Sequence, residues 1–235
     1  MVKTVAINFS KRTIPTFNVP TLMVNNVPLT FSPRVKYLGV VLDTNLNYGD
    51  HVTMICKKIS KSVGILYRLS FNTPSHILHK LYYSLIYPYL TYCNIVWGGA
   101  CATHLHKLLL LQKCAVRTIL NAGFLAHTEP LFEQTEILRI KDIHMYSCCM
   151  FAKNHWEDFD LASNPHNTRS RMSLNVNFQR LTTTQRSVYY CVPLLYNSLP
   201  EVLRHVTMTM GTFKHHLKQH LLGSYEWYLK TTSKK

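Results

Sequence analysis

The fold is decided by a stretch near the middle of the chain: Leu85-Ile86-Tyr87-Pro88-Tyr89-Leu90-Thr91-Tyr92-Cys93-Asn94-Ile95-Val96-Trp97-Gly98. It lies within a longer segment, from Leu81 to His106, that has no Asp, Glu, Lys or Arg. A membrane-spanning helix needs about 20 predominantly apolar residues, but Pro88 and the Gly98-Gly99 pair interrupt this segment. The segment therefore predicts a buried hairpin region of a globular core, and no membrane partner is expected.

Apolar residues recur at helical spacing on both sides of this stretch. One face of a helix that begins near His51 carries Val52, Ile55, Ile59, Val63 and Leu66. Gly49 or Asp50 is a plausible cap for that helix, and Ser75 is the expected N-cap of the next one, which Pro88 ends or kinks. A third helix is expected from Thr103 to Leu120. It is apolar around most of its circumference, which predicts a central position.

The two ends of the chain have different patterns. In the first 44 residues, Val5 to Phe9 suggests a strand, Asn25-Asn26 a hairpin turn, and Lys36 to Leu42 a buried strand. Towards the other end, residues 143–156 have helical periodicity, residues 187–191 suggest a strand and residues 192–199 a short helix. A last amphipathic helix is indicated by Phe213, Leu217, Leu221 and Leu222.

These patterns together predict an α+β fold that is mainly α. The expected order is a small β element in residues 1–44, a helical bundle in residues 45–125, and a mixed, mostly helical region in residues 126–235.

The charge of the chain is strongly positive and unevenly distributed. There are 26 Lys and Arg against 11 Asp and Glu, a formal net charge of +15, and the segment from His51 to Thr128 has no acidic residue. At 100° per residue, Lys57, Lys61 and Arg68 cluster opposite the apolar face of the first helix. This pattern favours a nucleic-acid partner. A merely basic soluble protein is the plain alternative, and an anionic membrane surface is a weaker competitor. The predicted nucleic-acid-binding residues are Lys57, Lys58, Lys61, Arg68, Lys80, Lys113 and Arg117.

The cysteine and histidine residues do not indicate a disulfide framework or a metal site. Seven cysteines is an odd number without regular spacing, and no signal peptide is recognised, so we expect reduced thiols in an intracellular protein of the nucleus or cytoplasm. His144 and Cys148 are four residues apart, as are His216 and His220, but neither pair has a Cys-x-x-Cys partner. No metal ligands are therefore predicted.

Four phrases occur in a fixed order and carry a family resemblance. They are residues 35–43 (Val-Lys-Tyr-Leu-Gly-Val-Val-Leu-Asp), the stretch 85–98, residues 111–117 (Leu-Gln-Lys-Cys-Ala-Val-Arg) and residues 196–200 (Tyr-Asn-Ser-Leu-Pro). Together they resemble the C-terminal part of the reverse transcriptase of a non-LTR (LINE-like, jockey-type) retrotransposon. The run Pro-Tyr-Leu-x-Tyr-Cys followed by Trp-Gly is the most specific of these matches.

The resemblance implies roles for particular segments. Residues 1–44 would be the end of the palm, with Tyr37, Leu38 and Gly39 in a primer-grip-like hairpin. Residues 45–125 would be the thumb, which holds the template–primer duplex of RNA and DNA, and residues 126–235 the C-terminal segment. Residues 166–169 (His-Asn-Thr-Arg) resemble a family element with altered spacing. Tyr196 stands where the family usually has Trp.

The catalytic phrase of such a polymerase is missing. Nucleotidyl transfer requires adjacent carboxylates that hold two metal ions about 3.5–4 Å apart, and no Asp-Asp pair occurs in the sequence. We therefore predict no catalytic residue and no cofactor in this chain, since the Mg²⁺ would belong to the complete parent enzyme. The leading hypothesis is a truncated reverse transcriptase that binds template–primer nucleic acid, with the rest of the polymerase as a further partner. The alternative is a non-enzymatic interaction protein or a coding relic of the element.

Overall fold

A computed structural model describes residues 4–9, 22–161, 173–204 and 208–223 of the chain. Its strands are β1 (Met23–Val24), β2 (Val27–Pro28), β3 (Arg34–Tyr37) and β4 (Val40–Asp43). Its α-helices are α1 (Gly49–Leu69), α2 (Ser75–Leu85), α3 (Tyr87–Thr91), α4 (Asn94–Trp97), α5 (Ala102–Ile119), α6 (Glu129–Gln134), α7 (Ile140–Asn154), α8 (Thr182–Gln185), α9 (Val188–Asn197) and α10 (Met210–Gly223). Helices dominate behind a small N-terminal β element, so the predicted α+β, mainly α class is confirmed.

Two short antiparallel hairpins form the β element. Asn25 and Asn26 have φ of 49° and 61° and join β1 to β2, which confirms the predicted turn. The single strand expected from Lys36 to Leu42 is wrong, because the chain reverses at Leu38 (φ 44°) and Gly39 (φ 82°) and separates β3 from β4. Two successive residues in the left-handed region match the twist of a two-residue hairpin loop. In this hairpin β3 is exposed apart from the half-buried Val35, whereas β4 is buried at Val40 and half-buried from Val41 to Asp43.

The first helix begins differently from the prediction. Tyr48, with φ of 57°, is the N-cap residue of α1, and neither Gly49 nor Asp50 has that place. The carboxylate of Asp43 accepts bonds from the backbone N–H groups of Asn45, Asn47 and Tyr48 at 2.8–3.0 Å. These bonds fix the turn that leads from β4 into α1.

Proline lies at the beginning of both α2 and α3. Pro74 is the N-cap residue of α2, so the expectation for Ser75 is wrong: Ser75 is the first helical residue and makes no capping bond. Pro88 lies in the first turn of α3, where its missing N–H costs nothing. The chain is thereby broken after Leu85, as predicted, and α2 and α3 become separate helices.

The predicted strand at residues 187–191 is also wrong. These residues enter α9, whose buried residues Val192, Pro193 and Tyr196 belong to the core. Val, Tyr and Cys have high strand propensity, but packing of α9 against α7 decides the conformation here. The last amphipathic helix is confirmed as α10, with Phe213, Leu217 and Leu221 buried.

One core of buried apolar residues runs from Val40 to Leu221. The helix α5 has a central position, as its pattern predicted, because it contacts α1, α2, α6 and α7. Within the described ranges, no helix combines the length and apolar character needed to cross a bilayer. The division into ranges 1–44, 45–125 and 126–235 stays a prediction.

Candidate nucleic-acid interface

The helix α1 presents a row of cations to solvent. Its inner face buries Val52, Ile55, Ile59 and Leu66, which leaves Lys57, Lys61 and Arg68 exposed on the opposite side. We call these three residues the α1 cationic face. The sequence predicted this arrangement because residues separated by four, seven and eleven positions return to the same side of an α-helix.

The α1 cationic face has a length that suits a duplex. From Lys57 to Arg68 the helix rises about 16 Å, and a duplex of that length carries on the order of ten phosphate charges. Asp50 lies at the start of the same side of α1, where Nη1 of Arg34 contacts its Oδ2 at 3.3 Å. Arg34 belongs to β3, so this ion pair balances the acidic charge nearest the face and attaches the β3–β4 hairpin to α1.

Two further predicted cations, Lys58 and Lys80, are exposed. Nζ of Lys58 lies 5.2 Å from the centre of the Tyr89 ring, a cation–π distance that bends this lysine towards α3. Lys80 is exposed on α2. The predicted cations therefore include one on α2, and Lys58 contacts an aromatic ring as well as solvent.

The last two predicted cations have partners inside the chain. Nζ of Lys113 is 3.9 Å from Oε1 of Glu129. Arg117 donates from Nε and Nη2 to the carbonyl oxygen of Ala126, at 3.0 and 2.9 Å. Both residues therefore hold the loop between α5 and α6 in place. A charge count could not reveal this, because their partners lie nine or more positions further along the chain.

The primer-grip-like residues lie at the tip of the β3–β4 hairpin. Tyr37 and Leu38 are exposed, and the hydroxyl of Tyr92 donates to the carbonyl oxygen of Leu38 at 2.7 Å. A Cβ at Gly39 would lie 3.2 Å from Cε1 of Tyr92. The hairpin tip is thus fixed against the residue that follows α3, and two of the four phrases contact each other.

His51 joins β4 of the same hairpin to α1. Its Nδ1 accepts a bond from the N–H of Val41 at 3.3 Å, and its ring packs edge-on to Trp97 at 5.5 Å. Burial, with a further contribution from the positive charge of Lys58, lowers the pKa of His51 to about 4. The ring is therefore neutral at physiological pH. The helical period places His51 next to Val52 on the inner face, which is the signal that could have identified it.

The stretch 85–98 forms its own tight packing unit. Nε1 of Trp97 donates to the carbonyl oxygen of Tyr92, and Nδ2 of Asn94 donates to that of Leu90, both at 2.8 Å. The ring of His144 lies beside Gly98, with Nδ1 3.2 Å from the carbonyl oxygen of Asn94. Burial lowers the pKa of His144. The side chains of Trp97 and Asn94 therefore bond within the stretch, and His144 attaches it to α7.

In the third phrase, residues 111–117, Gln112 joins elements that are distant in the sequence. It is fully buried, and its Nε2 donates to the hydroxyl of Tyr82 at 2.9 Å and to the carbonyl oxygen of Leu138 at 3.1 Å. Its Oε1 accepts from the N–H of Ile140 at 2.8 Å. One side chain thus joins α2, α5 and the start of α7. A polar residue on an apolar helix was the available signal for this role.

The fourth phrase closes the C-terminal region. Asn197 accepts from the N–H of Leu174 with Oδ1 and donates to the carbonyl oxygen of Leu174 with Nδ2, both at 2.8 Å. Tyr196 is buried, with its ring 5.5 Å from that of Trp156. The related element at residues 166–169 lies outside the described residues.

The described part of the chain offers no cluster of three or more His, Cys, Asp or Glu that could hold a metal ion. Sγ of Cys148 lies 3.8 Å from Nε2 of His144, but burial raises the pKa of Cys148 to about 12, so the thiol stays protonated. A protonated thiol is a poor metal ligand. Asp43 is occupied by the backbone N–H groups of its own turn.

The chain is similar to known proteins over part of its length. The chain contains a region similar to the RNA-directed DNA polymerases of mobile elements, so the resemblance carried by the four phrases is confirmed. No family model matches the chain, and no solved structure matches it.

The relatives can be named individually. Over 126 residues the chain is 27% identical to the probable RNA-directed DNA polymerase from transposon X-element of Drosophila melanogaster. The matched region covers 52% of this chain and 14% of that protein. Over 150 residues the chain is 28% identical to the RNA-directed DNA polymerase from mobile element jockey of Drosophila funebris, covering 59% and 16%. The jockey polymerase of Drosophila melanogaster is 27% identical over 142 residues, covering 58% and 15%. The match therefore spans only a small part of each curated relative.

Proposed function

We propose that this chain binds template–primer nucleic acid through the α1 cationic face and corresponds to the nucleic-acid-holding part of an RNA-directed DNA polymerase. The observation that carries the proposal is the row of Lys57, Lys61 and Arg68 on the exposed side of a helix whose inner side is buried. Contacts between cations and phosphates supply affinity without sequence preference. That is the mode of binding that a polymerase needs to hold any template.

The surroundings of the α1 cationic face support this proposal. The segment 51–128 has no acidic residue that could neutralise the face from within its own bundle. Asp50, the acidic residue beside it, is paired with Arg34. A net charge of +15 adds long-range attraction for a polyanion. The surface is therefore expected to bind nucleic acid whatever its base sequence.

The proposal includes no nucleotidyl transfer by this chain alone. The sequence has no Asp-Asp pair, and Asp43 is occupied with three backbone N–H groups. We therefore interpret the chain as a truncated form of such a polymerase, with the Mg²⁺-binding carboxylates supplied elsewhere in the complete parent. Primer extension by the purified chain in the presence of Mg²⁺ would contradict this interpretation.

Salt dependence tests the binding itself. The affinity for an RNA–DNA template–primer duplex should fall linearly on a logarithmic salt scale, with a slope near −0.9 for each phosphate contact in B-form duplex. The double variant Lys57→Ala/Lys61→Ala removes two contacts, so the slope should become shallower by about 1.8. Fluorescence anisotropy at a series of salt concentrations measures this change.

A matched control separates local contact from total charge. Lys141 and Lys214 are exposed on α7 and α10, away from α1, and the variant Lys141→Ala/Lys214→Ala changes the net charge by the same amount. We expect its slope to remain at the unsubstituted value. Equal slopes for the two double variants, or an absence of duplex binding, would refute the proposal.

A second candidate function rests on exposed apolar residues in the N-terminal region. These residues surround the first hairpin and the segment before it: Val5, Phe9, Leu22, Met23, Val24, Val27 and Phe31. Exposed strand edges with apolar side chains favour association with another protein surface. A non-enzymatic interaction protein derived from the element would use this surface. It would show protein association and no dependence on Lys57 and Lys61.

A further inference from the structure

Two exposed aromatic rings lie at the end of the α1 cationic face. Tyr67 is in the last turn of α1 and Phe71 follows the helix, and they are 57% and 70% exposed. Their ring centres are 5.3 Å apart in an edge-to-face arrangement. Large aromatic side chains with this exposure leave a substantial apolar area in water. A binding partner with flat apolar faces would therefore gain by covering them.

The helix leaves an open approach to these two rings. Gly64 lies one turn before Arg68, and a Cβ at Gly64 would meet no atom within 4 Å. Nε of Arg68 donates to the carbonyl oxygen of Gly64 at 3.3 Å, so the guanidinium folds back along α1 towards Gly64. The end of α1 thus brings together an exposed aromatic pair, a cation and the open space beside Gly64.

We propose that Tyr67 and Phe71 stack against unpaired bases of a single-stranded extension that leaves the duplex held on the α1 cationic face. The inference rests on the proposed function and adds to it a site for the unpaired bases that extend from the duplex. Every base has a flat aromatic face, so stacking on Tyr or Phe tolerates any sequence. The phosphates of the same extension would lie near Arg68 and would supply this cation with an anionic partner.

Charge complementarity favours this occupant over a protein surface. Tyr67 lies next to the α1 cationic face, about 100° around the helix from Arg68. The acidic residue of α1, Asp50, is at the opposite end of that helix. Interleaved cations and aromatic rings are the combination that binds single strands without sequence preference. An uncharged protein partner would leave these cations without counter-ions.

The test compares a blunt RNA–DNA duplex with the same duplex that carries an unpaired oligothymidylate extension. The unsubstituted chain should bind the extended duplex more tightly, by about tenfold, because each stacked base contributes to affinity. In the variant Tyr67→Ala/Phe71→Ala this advantage should disappear while the affinity for the blunt duplex changes less than about twofold. The exchange Tyr67→Phe/Phe71→Tyr should keep the advantage, since both rings remain.

A control pair and the cationic variant distinguish the two levels of the proposal. Phe178 and Tyr189 are also strongly exposed, and Phe178→Ala/Tyr189→Ala should leave the advantage intact. Lys57→Ala/Lys61→Ala should weaken binding of both duplexes. Base stacking is refuted if the blunt duplex binds and the extension gives no gain in affinity. It is also refuted if the gain in affinity is the same in Tyr67→Ala/Phe71→Ala. In both cases the proposed function stands, and a protein contact becomes the better explanation for the exposed rings. If neither duplex binds, both proposals fail.

Discussion

Replacing Gly98 by alanine is the sharpest test of how the stretch 85–98 is packed. The added Cβ would lie 2.5 Å from the carbonyl oxygen of Asn94, 2.6 Å from its Oδ1, and against Nδ1 of His144. The carbonyl oxygen cannot withdraw freely, because it accepts the N–H of Gly98 at 2.6 Å. Overpacking of this kind costs about 1–3 kcal/mol. With backbone among the contacts we expect the upper end, about 3 kcal/mol.

The matched substitution Gly64→Ala should have the opposite sign. Gly64 lies within α1 and its Cβ would enter open space, so the higher helix propensity of alanine should stabilise the chain by about 0.5–1 kcal/mol. For a chain of this size, the loss of about 3 kcal/mol in Gly98→Ala lowers Tm by about 6–12 °C. Urea unfolding followed by the fluorescence of the buried Trp97 and by circular dichroism measures both changes.

A double-mutant cycle identifies the clashing partner. In a His144→Ala background the ring is gone, so Gly98→Ala should cost less than it does alone, and the two substitutions should show a coupling energy of at least about 0.5 kcal/mol. Equal free energies of unfolding for Gly98→Ala and Gly64→Ala would refute this account of the packing. So would an unchanged cost of Gly98→Ala when His144 is absent.

Two further predictions concern the β3–β4 hairpin. Tyr92→Phe removes the bond to the carbonyl oxygen of Leu38, so amide hydrogens of residues 34–43 should exchange faster while the free energy of unfolding falls by only about 0.5–1 kcal/mol; unchanged exchange would contradict the role of the hydroxyl. Burial holds the pKa of His51 at about 4, against 6.5 in the unfolded chain. The unfolded chain therefore binds a proton more readily, and the free energy of unfolding should fall as the pH falls from about 6.5 to about 4. The expected loss is about 3 kcal/mol, at about 1.36 kcal/mol for each pKa unit. His51→Gln should lack this part of the pH dependence in urea unfolding, and a full pH dependence in that variant would exclude His51 as its cause.

The parts of the fold that the sequence predicted are those that a local period determines. Val52, Ile55, Ile59 and Leu66 recur on one side of a helix, and burial of that side follows from the hydrophobic effect alone. The exposure of Lys57 follows from the same geometry. The hairpin turn at residues 25–26 was also predictable, because two adjacent asparagines tolerate positive φ.

The parts that the sequence could not predict depend on partners far along the chain. The bonds of Gln112 reach 26 to 30 positions in either direction, and His144 contacts Asn94 across 50 positions. No local pattern pairs such residues. The strand expected at residues 187–191 failed for the same reason, because contacts of α9 with α7 override the local preference of Val188, Tyr189 and Tyr190. The roles of Lys113 and Arg117 were obscured likewise, since a count of charges does not include their partners.

The three residues of the α1 cationic face lie outside the four phrases that carry the resemblance. Tyr92, Gln112 and Asn197 lie in the phrases, and each joins elements that are distant in sequence. Lys57 and Lys61 lie in none of the phrases. The resemblance that the phrases carry therefore does not by itself establish the charge on α1. The salt-dependence experiment is for this reason independent of the phrases. If Lys57→Ala/Lys61→Ala left the salt slope unchanged, the proposed binding mode would be refuted, and the sequence similarity to the jockey polymerases would remain.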